Sequence, residues 1–541
     1  MTVGSRRLLG LALVAVVVGA AAGVLVPRLG DAWRMREARR RGEQLHRDWM
    51  SMLSRAADPE RTYVAVAGTS GPAWTELLVA AGLPQAAMLS AADDALPAGY
   101  RLVVWPARSA GPDPAVLASV GRAVIVLEQP ERAADVALAR MTTGALLPLA
   151  GAPIRILDVL PGERAFLTAD GGGVLGTVRA CGQGLVVRLG LDLAAHLMRL
   201  RLGLPSRAGQ DRDGNGELQP ADLLEPIQGE LSSQPWADIV IDELLSVIAT
   251  EWPGCPLPRT RGLPAGMGAV VVISADQDYA SDQFVELMAT RLEERGARAT
   301  FLLTDPQVGL APDLNRDASG RAPWLASSSG DSLVSRGFGL GLHPFPRTAS
   351  DLIEMAAHFT QRHGLVARVT RNHHLRWPDY DGMPRAAATA GAMLDLNLMP
   401  VSVAGRPAVG FPTGSARPVR MTDATGALLP LLQQPTSVDD YSLRIEDAQA
   451  RSRAARALWT LALDALKQVC RVQAPLVVNA HPMLHAFAPD WLDPLLGAQA
   501  VHAISADRWL EFVVDRRKSR LALPACGHPT VQLEAQVELH E

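Results

Sequence analysis

Apolar runs alternate with amphipathic segments along most of this chain, and the alternation predicts an α/β protein. The clearest unit begins with the apolar run Ala269–Ser274, which the acidic cluster Ala275–Asp278 follows at once. Helical periodicity covers Phe284–Arg295, and a second apolar run covers Ala297–Thr304. This order predicts a buried strand, a polar strand end, a helix and a second strand. Two carboxylates at the end of a buried strand are costly without a compensating partner, such as a metal ion or a proton to transfer.

The region 61–204 repeats the alternation with shorter segments. Its predicted strands are Tyr63–Ala67, Arg101–Trp105, Ala123–Leu127 and Gly184–Leu189. Its predicted helices are Ala73–Ala81 and Pro114–Val120. Short strands alternating with helices predict a small parallel sheet. With Gly182–Asp192 as its most characteristic piece, this region resembles the class I glutamine amidotransferase-like fold. No cysteine stands at a strand-to-helix turn, so the resemblance implies a non-catalytic domain.

The first 60 residues have a different pattern. Leu8–Val26 carries no charge and is long enough to span a bilayer, which predicts a transmembrane signal anchor over 1–30. A charged helical stalk is predicted over 31–60. Its arginines would place that side in the cytoplasm by the positive-inside rule, but large domains cross membranes largely regardless of charge. We therefore predict a single-pass protein of the inner membrane whose bulk is exported, with cleavage at Ala20–Ala22 left open.

Composition narrows the function classes. A chain of 541 residues is long enough for two to four domains. The net charge of −4 argues against nucleic-acid binding, and aromatic residues at 5% are too few to suggest a paved sugar cleft. The four cysteines lie far apart, no pair has metal-ligand spacing, and they leave zero, one or two disulfides open.

A linker, 205–264, separates two predicted domains and contains a calcium-loop pattern. Oxygen ligands fall at positions 1, 3 and 5 of a twelve-residue loop, glycine falls at position 6 and a carboxylate at position 12. The predicted calcium-binding residues are Asp211, Asp213, Asn215, Glu217 and Asp222. Position 12 is an Asp instead of the usual Glu, and an acidic, glycine-rich linker without an ion is the alternative.

Polar residues follow several apolar runs of the second domain, 265–515, which precedes a tail, 516–541. Histidines and arginines stand at these predicted strand ends, namely His343, Arg371, His373, His374, Arg417 and His481. Together with Asp276 and Asp278 they supply carboxylates and imidazoles, which are the ligand set of a zinc or related divalent site.

The order of these motifs resembles the polysaccharide deacetylase superfamily, also called the NodB-homology or family 4 carbohydrate esterases, over about 269–509. The acidic strand end, the Ala299-Thr-Phe301 strand, Gly341-Leu-His343, Arg371 with Trp377, and the late His481-Pro482 match in sequence order. The resemblance implies a distorted, incomplete (β/α) barrel. It also implies a base at Asp276, metal ligands at Asp278 and His343, an acid at His481, and a catalytic role for Arg371. Trp377 and Arg417 are expected to contact substrate.

Two departures from the family pattern leave part of the site open. The usual Asp-Asp pair is Asp276-Gln277 here, so the register of the metal-binding carboxylate is uncertain. The second metal histidine should follow His343 by about four residues, where Arg347 stands. His373 or His374 would then replace it, and His373 is preferred as the third ligand. The region 371–435 resembles a divergent bacterial branch of the superfamily.

Three functional hypotheses follow. The first is a metal-dependent hydrolase that deacetylates an envelope or extracellular polysaccharide, so that the expected partners are an acetylated glycan and the membrane. The second is a catalytically degenerate relative that binds or scaffolds carbohydrate in the cell envelope, which the missing histidine at Arg347 favours. The third is a glycoside hydrolase, which would need two carboxylates roughly 5–10 Å apart across a cleft, and no second acid stands out.

Overall fold

A computed structural model describes residues 35–51 and 64–519, except 69, 84–86, 90–99, 108–112, 120, 136, 150, 227–228, 254–256, 279, 305–326 and 401–403. Over this part of the chain, none of the helices combines the length and apolar character that a membrane crossing requires. The predicted anchor, 1–30, lies outside the described residues, as does most of the predicted tail. The anchor therefore stays a prediction.

The first domain contains one mixed sheet of nine strands and a separate two-stranded ribbon. Five parallel strands form one half, in the order β2-β1-β3-β4-β11. Their bounds are β1 Val64–Ala67, β2 Ala87–Leu89, β3 Leu102–Pro106, β4 Ala123–Leu127 and β11 Gly184–Leu189. Two helices of this half are α2, Gly71–Ala80, and α3, Pro114–Ser119. The predicted strands and helices of this half are confirmed. The sequence did not suggest the fifth strand, β2.

The second half of this sheet is antiparallel and was not predicted. Strands continue from β11 in the order β10-β9-β6-β7, and β5 pairs with β8 in the ribbon. Their bounds are β5 Arg132–Ala133, β6 Leu138–Met141, β7 Leu146–Pro148, β8 Pro153–Ile154, β9 Arg164–Ala169 and β10 Val174–Cys181. A small, purely parallel sheet is therefore wrong for this domain. The antiparallel strands β6, β9 and β10 mix buried with exposed or partly exposed residues, so their apolar runs are weak in the sequence.

The second domain is built on a curled, open sheet of ten strands. The order is β17-β18-β16-β15-β14-β13-β12-β20-β19, and β21 also pairs with β12. All neighbours are parallel except the edge strand β17. The bounds are β12 Ala269–Asp276, β13 Thr300–Leu303, β14 Gly339–Leu342, β15 Val369–Thr370, β16 Leu394–Asp395, β17 Val419–Thr422, β18 Leu428–Gln433, β19 Val438–Asp439, β20 Leu476–Ala480 and β21 Val501–Ser505. The predicted incomplete barrel agrees with this open, curled sheet.

Helices cover the outside of the curled sheet, as expected for parallel strands whose two faces are both buried. Every residue of the central strand β12 is buried, which explains its long apolar run. The helices are α7 Asp282–Glu294, α8 Ser327–Ser335, α9 Ala349–His363, α10 Gly382–Thr389, α11 Ala448–Arg471, α12 Pro482–Phe487, α13 Asp493–Leu496 and α14 Ala506–Lys518.

The two domains pack against each other through helices and buried charges. Between them lie α4 Leu193–Leu202, α5 Pro220–Leu223 and α6 Trp236–Glu251. Most of the apolar face of α6 belongs to the core of the first domain, while its Asp238 accepts hydrogen bonds from Ser415 Oγ and Ala416 N of the second. A buried ion pair joins Glu76 of α2 to Arg517 of α14. Part of the predicted linker is thus a structural element shared by both domains.

Helix α1 occupies 35–51, inside the predicted stalk. Its Trp49 is buried in an apolar cluster with Leu394 and Trp509 and donates a hydrogen bond to Pro430 O (2.8 Å). The helix is therefore present as predicted, but it lies along the second domain instead of standing apart from it.

Candidate active site

The polar residues that the sequence placed at strand ends meet at one edge of the curled sheet. Asp276 ends β12, while His343, Arg371 and His481 follow β14, β15 and β20 directly. Carboxyl ends of parallel strands lie at the same edge, and in α/β barrels this edge carries the catalytic groups. Hydrogen bonds join Arg371 to His343 and to Asp276, and His481 Nε2 lies 3.5 Å from Asp278 Oδ2.

Three side chains form a compact set of metal-ligand atoms, which we call the Asp-His-His centre. Asp278 Oδ1 lies 2.9 Å from His343 Nε2 and 3.0 Å from His373 Nδ1, and the two nitrogens are 3.1 Å apart. A divalent ion about 2.1 Å from each ligand would hold neighbouring ligands about 3 Å apart when they subtend a right angle. Two histidines and one carboxylate are a recurrent face of divalent-metal sites. The residues therefore fit a metal ion, and they are the three ligands predicted from the sequence.

Hydrogen bonding fixes which nitrogen of His343 is available. Its Nδ1 is 2.7 Å from Arg371 O, and since a carbonyl only accepts, Nδ1 carries the proton. Nε2 then points a lone pair at the centre when the ring is neutral. A carboxylate or carbonyl behind a metal-binding histidine commonly fixes its tautomer in this way.

The charges of the centre reinforce one another. Burial by itself would raise the pKa of Asp278, but His481, His343 and His373 together hold that pKa well below its ordinary value. Burial would likewise lower the pKa of His343, and the carboxylates of Asp276 and Asp278 raise it instead. The carboxylate thus stays charged, and the site favours a positive species between these three side chains.

Gln277 is the extra residue that separates Asp276 from Asp278. Gln277 is buried, donates to Ala280 O and accepts a hydrogen bond from Thr304 N, so it ties the ends of β12 and β13 together. Asp278 then reaches the centre from a left-handed backbone conformation with φ 46°. The register that the sequence left uncertain is therefore Asp276 beside the centre and Asp278 within it.

Asp276 is held by a buried polar network. Arg371 Nη1 donates to its Oδ1 (2.8 Å), and Asn479 Nδ2 donates to its Oδ2 (3.0 Å). The remaining donors of Arg371 reach Asn479 Oδ1, Leu396 O, Ser274 Oγ and Thr436 Oγ1. A fully buried guanidinium with all its donors occupied fixes both its own position and that of the carboxylate.

A second acidic pair, missed by sequence analysis, stands behind His481. Asp440 Oδ1 lies 2.6 Å from His481 Nδ1, and its Oδ2 accepts a hydrogen bond from His481 N. Burial would lower the pKa of His481, but Asp440 and Asp278 raise it well above its ordinary value. His481 Nε2 faces Asp278 Oδ2 at 3.5 Å. Asp440 therefore orients the ring so that Nε2 is directed at the centre.

Asp439, the other member of the second acidic pair, is hydrogen-bonded to Asn479. Asn479 Nδ2 donates to Asp439 Oδ1 (3.1 Å), so one amide links Asp276 and Asp439. Burial, with a contribution from the nearby carboxylates of Asp440 and Asp276, raises the pKa of Asp439 to about 7. The available signal was the pair Asp439-Asp440 itself, but the strand that Asp439 ends, β19, is only two residues long.

The two predicted substrate residues, Arg417 and Trp377, are buried. Arg417 is buried at the domain interface, where it forms an ion pair with Asp242 (2.6 Å) and donates to Val472 O. Trp377 is only 4% exposed, packs against Met383 and Leu431, and donates its indole N–H to Tyr380 O. Both expectations are therefore wrong. The sequence of an arginine or tryptophan followed by a proline does not indicate on which side of the sheet the side chain lies.

Side chains around the centre include aromatic and basic groups. His374 is exposed and stacks on His373 with ring centroids 4.2 Å apart, so it does not join the three ligand atoms. Phe345 packs edge-on against both histidine rings, and the guanidinium of Arg376 lies over the Phe345 ring. Arg347, at the position of the missing histidine, is exposed on the segment leading into α9.

The predicted calcium loop has a compact fold of its own. Asp211, Asp213 and Asp222 bring carboxylate oxygens close together. Asp211 accepts hydrogen bonds from three backbone amides, those of Gly214, Asn215 and Gly216. Asp222 accepts from Arg212 N and Gln219 N, whereas the side chain of Glu217 is directed at His374 and Arg376. Calcium binding stays a prediction.

Comparison with known proteins places these observations beside solved structures. No family model matches the sequence, and neither does any curated protein. Among solved structures, Agd3, a carbohydrate deacetylase, is similar over 84% of this chain and 87% of its own, at 9% identity and a TM-score of 0.33. A Mycobacterium smegmatis protein assigned as a polysaccharide deacetylase is similar over 48% of this chain and 95% of its own, at 15% identity and a TM-score of 0.34.

A third similar structure is BA3943 of Bacillus anthracis, a pseudoenzyme of carbohydrate esterase family 4. It covers 47% of this chain and 68% of its own, at 11% identity and a TM-score of 0.27. Two of these similar structures are thus described as carbohydrate or polysaccharide deacetylases and the third as a pseudoenzyme of carbohydrate esterase family 4. The amidotransferase-like first domain stays a prediction. Identities and TM-scores this low establish no activity, and any function has to be argued from the site itself.

Proposed function

We propose that this protein is a metal-dependent deacetylase of an N- or O-acetylated polysaccharide. The observation that carries the proposal is the meeting of three groups at one sheet edge. These groups are the Asp-His-His centre, the carboxylate of Asp276, and the His481–Asp440 pair. Together they supply a metal-ligand set, a proton acceptor and a proton donor, which are the functions that hydrolysis of an acetamide or acetate ester requires.

A divalent ion held by Asp278, His343 and His373 would polarise the acetyl carbonyl and lower the pKa of a bound water. Asp276 is the proton acceptor in this proposal. Its Oδ1 lies 3.8 Å from Nδ1 of His343, the ring whose Nε2 belongs to the centre. Arg371 and Asn479 hold both of its oxygens in place, which fixes the direction in which it accepts a proton.

His481 is the proton donor to the leaving amine or alcohol. Asp440 accepts a hydrogen bond from Nδ1 and so orients the ring with Nε2 facing the centre, where it can deliver a proton. An amine is a poor leaving group without protonation, so a donor at this position matters most for amide bonds.

Carbohydrate binding without hydrolysis is the second candidate function. Arg347 stands where the superfamily has its second metal histidine, and the side chain of Asp276 is only 4% exposed, with both oxygens already hydrogen-bonded. A carboxylate with this burial and these hydrogen bonds fits a structural role and a proton-transfer role equally. We further propose that either function is exercised at the cell envelope through the predicted anchor, and that the loop 211–222 binds calcium.

The deciding experiment measures metal content and acetate release together. The full-length chain, the His343→Ala variant and a His502→Ala control would be purified and analysed for zinc, cobalt, nickel and calcium. His502 is an exposed histidine on β21, and so it tests for adventitious surface binding. The proteins would then be incubated with N-acetylglucosamine oligomers and acetylated xylan, and free acetate would be measured.

About one transition-metal ion per chain and acetate release, both lost in His343→Ala and kept in His502→Ala, are expected. Metal binding without acetate release from either substrate class would favour the carbohydrate-binding alternative. A wild-type protein that takes up no transition metal would contradict the deacetylase proposal.

A further inference from the structure

The linker between the domains contacts the turn that carries the third metal ligand. Gln219 Nε2 donates a hydrogen bond to His374 O (2.8 Å), and Trp377 N donates one to Leu218 O (2.6 Å). The carboxylate of Glu217 lies 3.6 Å from His374 Nδ1 and 3.3 Å from Arg376 Nε. Three consecutive linker residues thus contact the turn that begins at His373.

This turn has an unfavourable backbone conformation. His374 has φ 56° and Leu375 has φ 55°, although neither is a glycine. Left-handed conformations are rare for residues with a Cβ, and two in succession persist only when surrounding contacts hold them. Within the turn, Leu375 N donates to Asn372 O, and Asn372 Nδ2 donates to Arg376 O. From outside the turn, Pro344 O accepts a hydrogen bond from His373 N, and Phe345 packs against the side chains of the turn. The linker adds the polar contacts to His374 and Arg376.

We propose that Gln219 and Glu217 are positioning residues for the metal centre. They hold the His374–Arg376 turn, and through it they hold His373 Nδ1 within 3.0 Å of Asp278 Oδ1. The inference rests on the proposed function, because it takes His373 as a metal ligand. It goes further in making the interdomain linker a part of the active site.

Gln219 is well suited to this role because its amide is fixed from both sides. Its Oε1 accepts a hydrogen bond from Asn215 Nδ2 (3.3 Å), which leaves Nε2 to donate to His374 O. Its backbone N–H donates to Asp222 Oδ2 at the start of α5. The Gln219 side chain therefore connects a capped helix end to the strained turn. Neither Gln219 nor Glu217 contacts a ligand atom of the centre.

The test compares Gln219→Met with Gln210→Met in the full-length protein. Gln210 is the matched control, since its amide also donates to a backbone carbonyl, Ser206 O, at 2.8 Å within the same linker. Zinc affinity of the metal-free proteins would be measured by competition with a chromophoric chelator. Melting temperatures of the metal-free proteins would be measured in parallel, because a purely structural residue would change stability without changing zinc affinity.

We expect Gln219→Met to weaken zinc binding about 10- to 100-fold, as loss of an outer partner of a metal ligand commonly does. Gln210→Met is expected to bind zinc like the wild type. If the Gln219→Met variant does not fold, the zinc affinity of the Glu217→Gln variant is measured in its place. Its expected loss is about two- to fivefold, because a partly exposed ion pair contributes less.

Two results would overturn the inference in different ways. Zinc affinity in Gln219→Met equal to that of the wild type would refute the positioning role and leave the proposed function untouched. A wild-type protein without measurable affinity for zinc, cobalt or nickel would refute both.

Discussion

Two acidic clusters of this chain look alike in sequence and differ in what surrounds their carboxylates. In the linker, the oxygens of Asp211 and Asp222 accept hydrogen bonds from backbone amides. At the sheet edge, the described partners of the Asp278 carboxylate are imidazole nitrogens. Backbone amides satisfy a carboxylate without an ion, whereas a neutral imidazole that turns its lone pair toward a carboxylate needs a proton or a cation between them.

Burial increases this difference. In the linker, Asp211 and Asp213 are exposed to solvent and Asp222 is buried, while in the centre His343 and His373 are buried and Asp278 is partly buried. Charges in a buried site interact strongly and are expensive to leave uncompensated. Spacing of acidic residues along the sequence therefore identifies candidate clusters, and the partners of each oxygen decide which cluster depends on a metal.

The largest expected effect separates the two clusters directly. Asp278→Asn should weaken transition-metal binding by more than about 100-fold, because even outer partners of metal ligands are worth 10- to 100-fold. The matched change Asp213→Asn in the linker should leave transition-metal affinity unchanged. Chelator competition on both variants measures this, and equal losses in the two would show that the clusters do not differ as described.

The next effect concerns the acid side of the centre. Asp440→Asn should lower deacetylation of an N-acetylglucosamine oligomer by about 10²- to 10⁴-fold, the usual range for a general acid, while metal content stays the same. Hydrolysis of 4-nitrophenyl acetate should fall much less, because nitrophenolate leaves without a proton. If both substrates slow to the same extent, Asp440 does not act through protonation of the leaving group by His481.

A third effect is on stability. Arg371→Met should lower the free energy of unfolding by about 3–5 kcal/mol, because it leaves the buried carboxylate of Asp276 without its cation. Arg385→Met is the control, since Arg385 pairs with Asp381 and Asp423 at the surface and exposed pairs contribute less than about 1 kcal/mol. Urea unfolding of both variants tests this, and similar midpoints would argue against the buried pair as a structural support.

Much of the centre was predictable because long apolar strands mark where their polar ends lie. Asp276, Asp278, His343 and His481 directly follow such runs or end them, and strand ends of a parallel sheet converge whatever the loops do. The choice of His373 over His374 also agrees with the structure, in which only His373 reaches the ligand atoms.

The parts that were missed lack a periodic signal. Asp440 follows the two-residue strand β19, which is too short to show alternation. The antiparallel half of the first sheet consists of strands that mix buried with exposed or partly exposed residues, so they show no continuous apolar run. Arg417 and Trp377 were assigned to the cleft by motif alone, and their burial elsewhere depends on the packing of the domain interface and of helix α10.

The smallest expected effect tests the linker cluster itself. Calcium would have to compete with the backbone amides that already satisfy Asp211 and Asp222, so we expect binding no tighter than the weak sites of extracellular modules, with a Kd of about 0.1–1 mM. At about 2 mM calcium this amounts to roughly 0.6–1.8 kcal/mol of stabilisation, by mass action. Calcium titration of the metal-free wild type, followed by thermal unfolding, should show this increase, and Asp213→Asn should reduce it. An unchanged melting temperature in the wild type would mean that the loop closes on its own amides without an ion, and the contrast between the two clusters would then be complete.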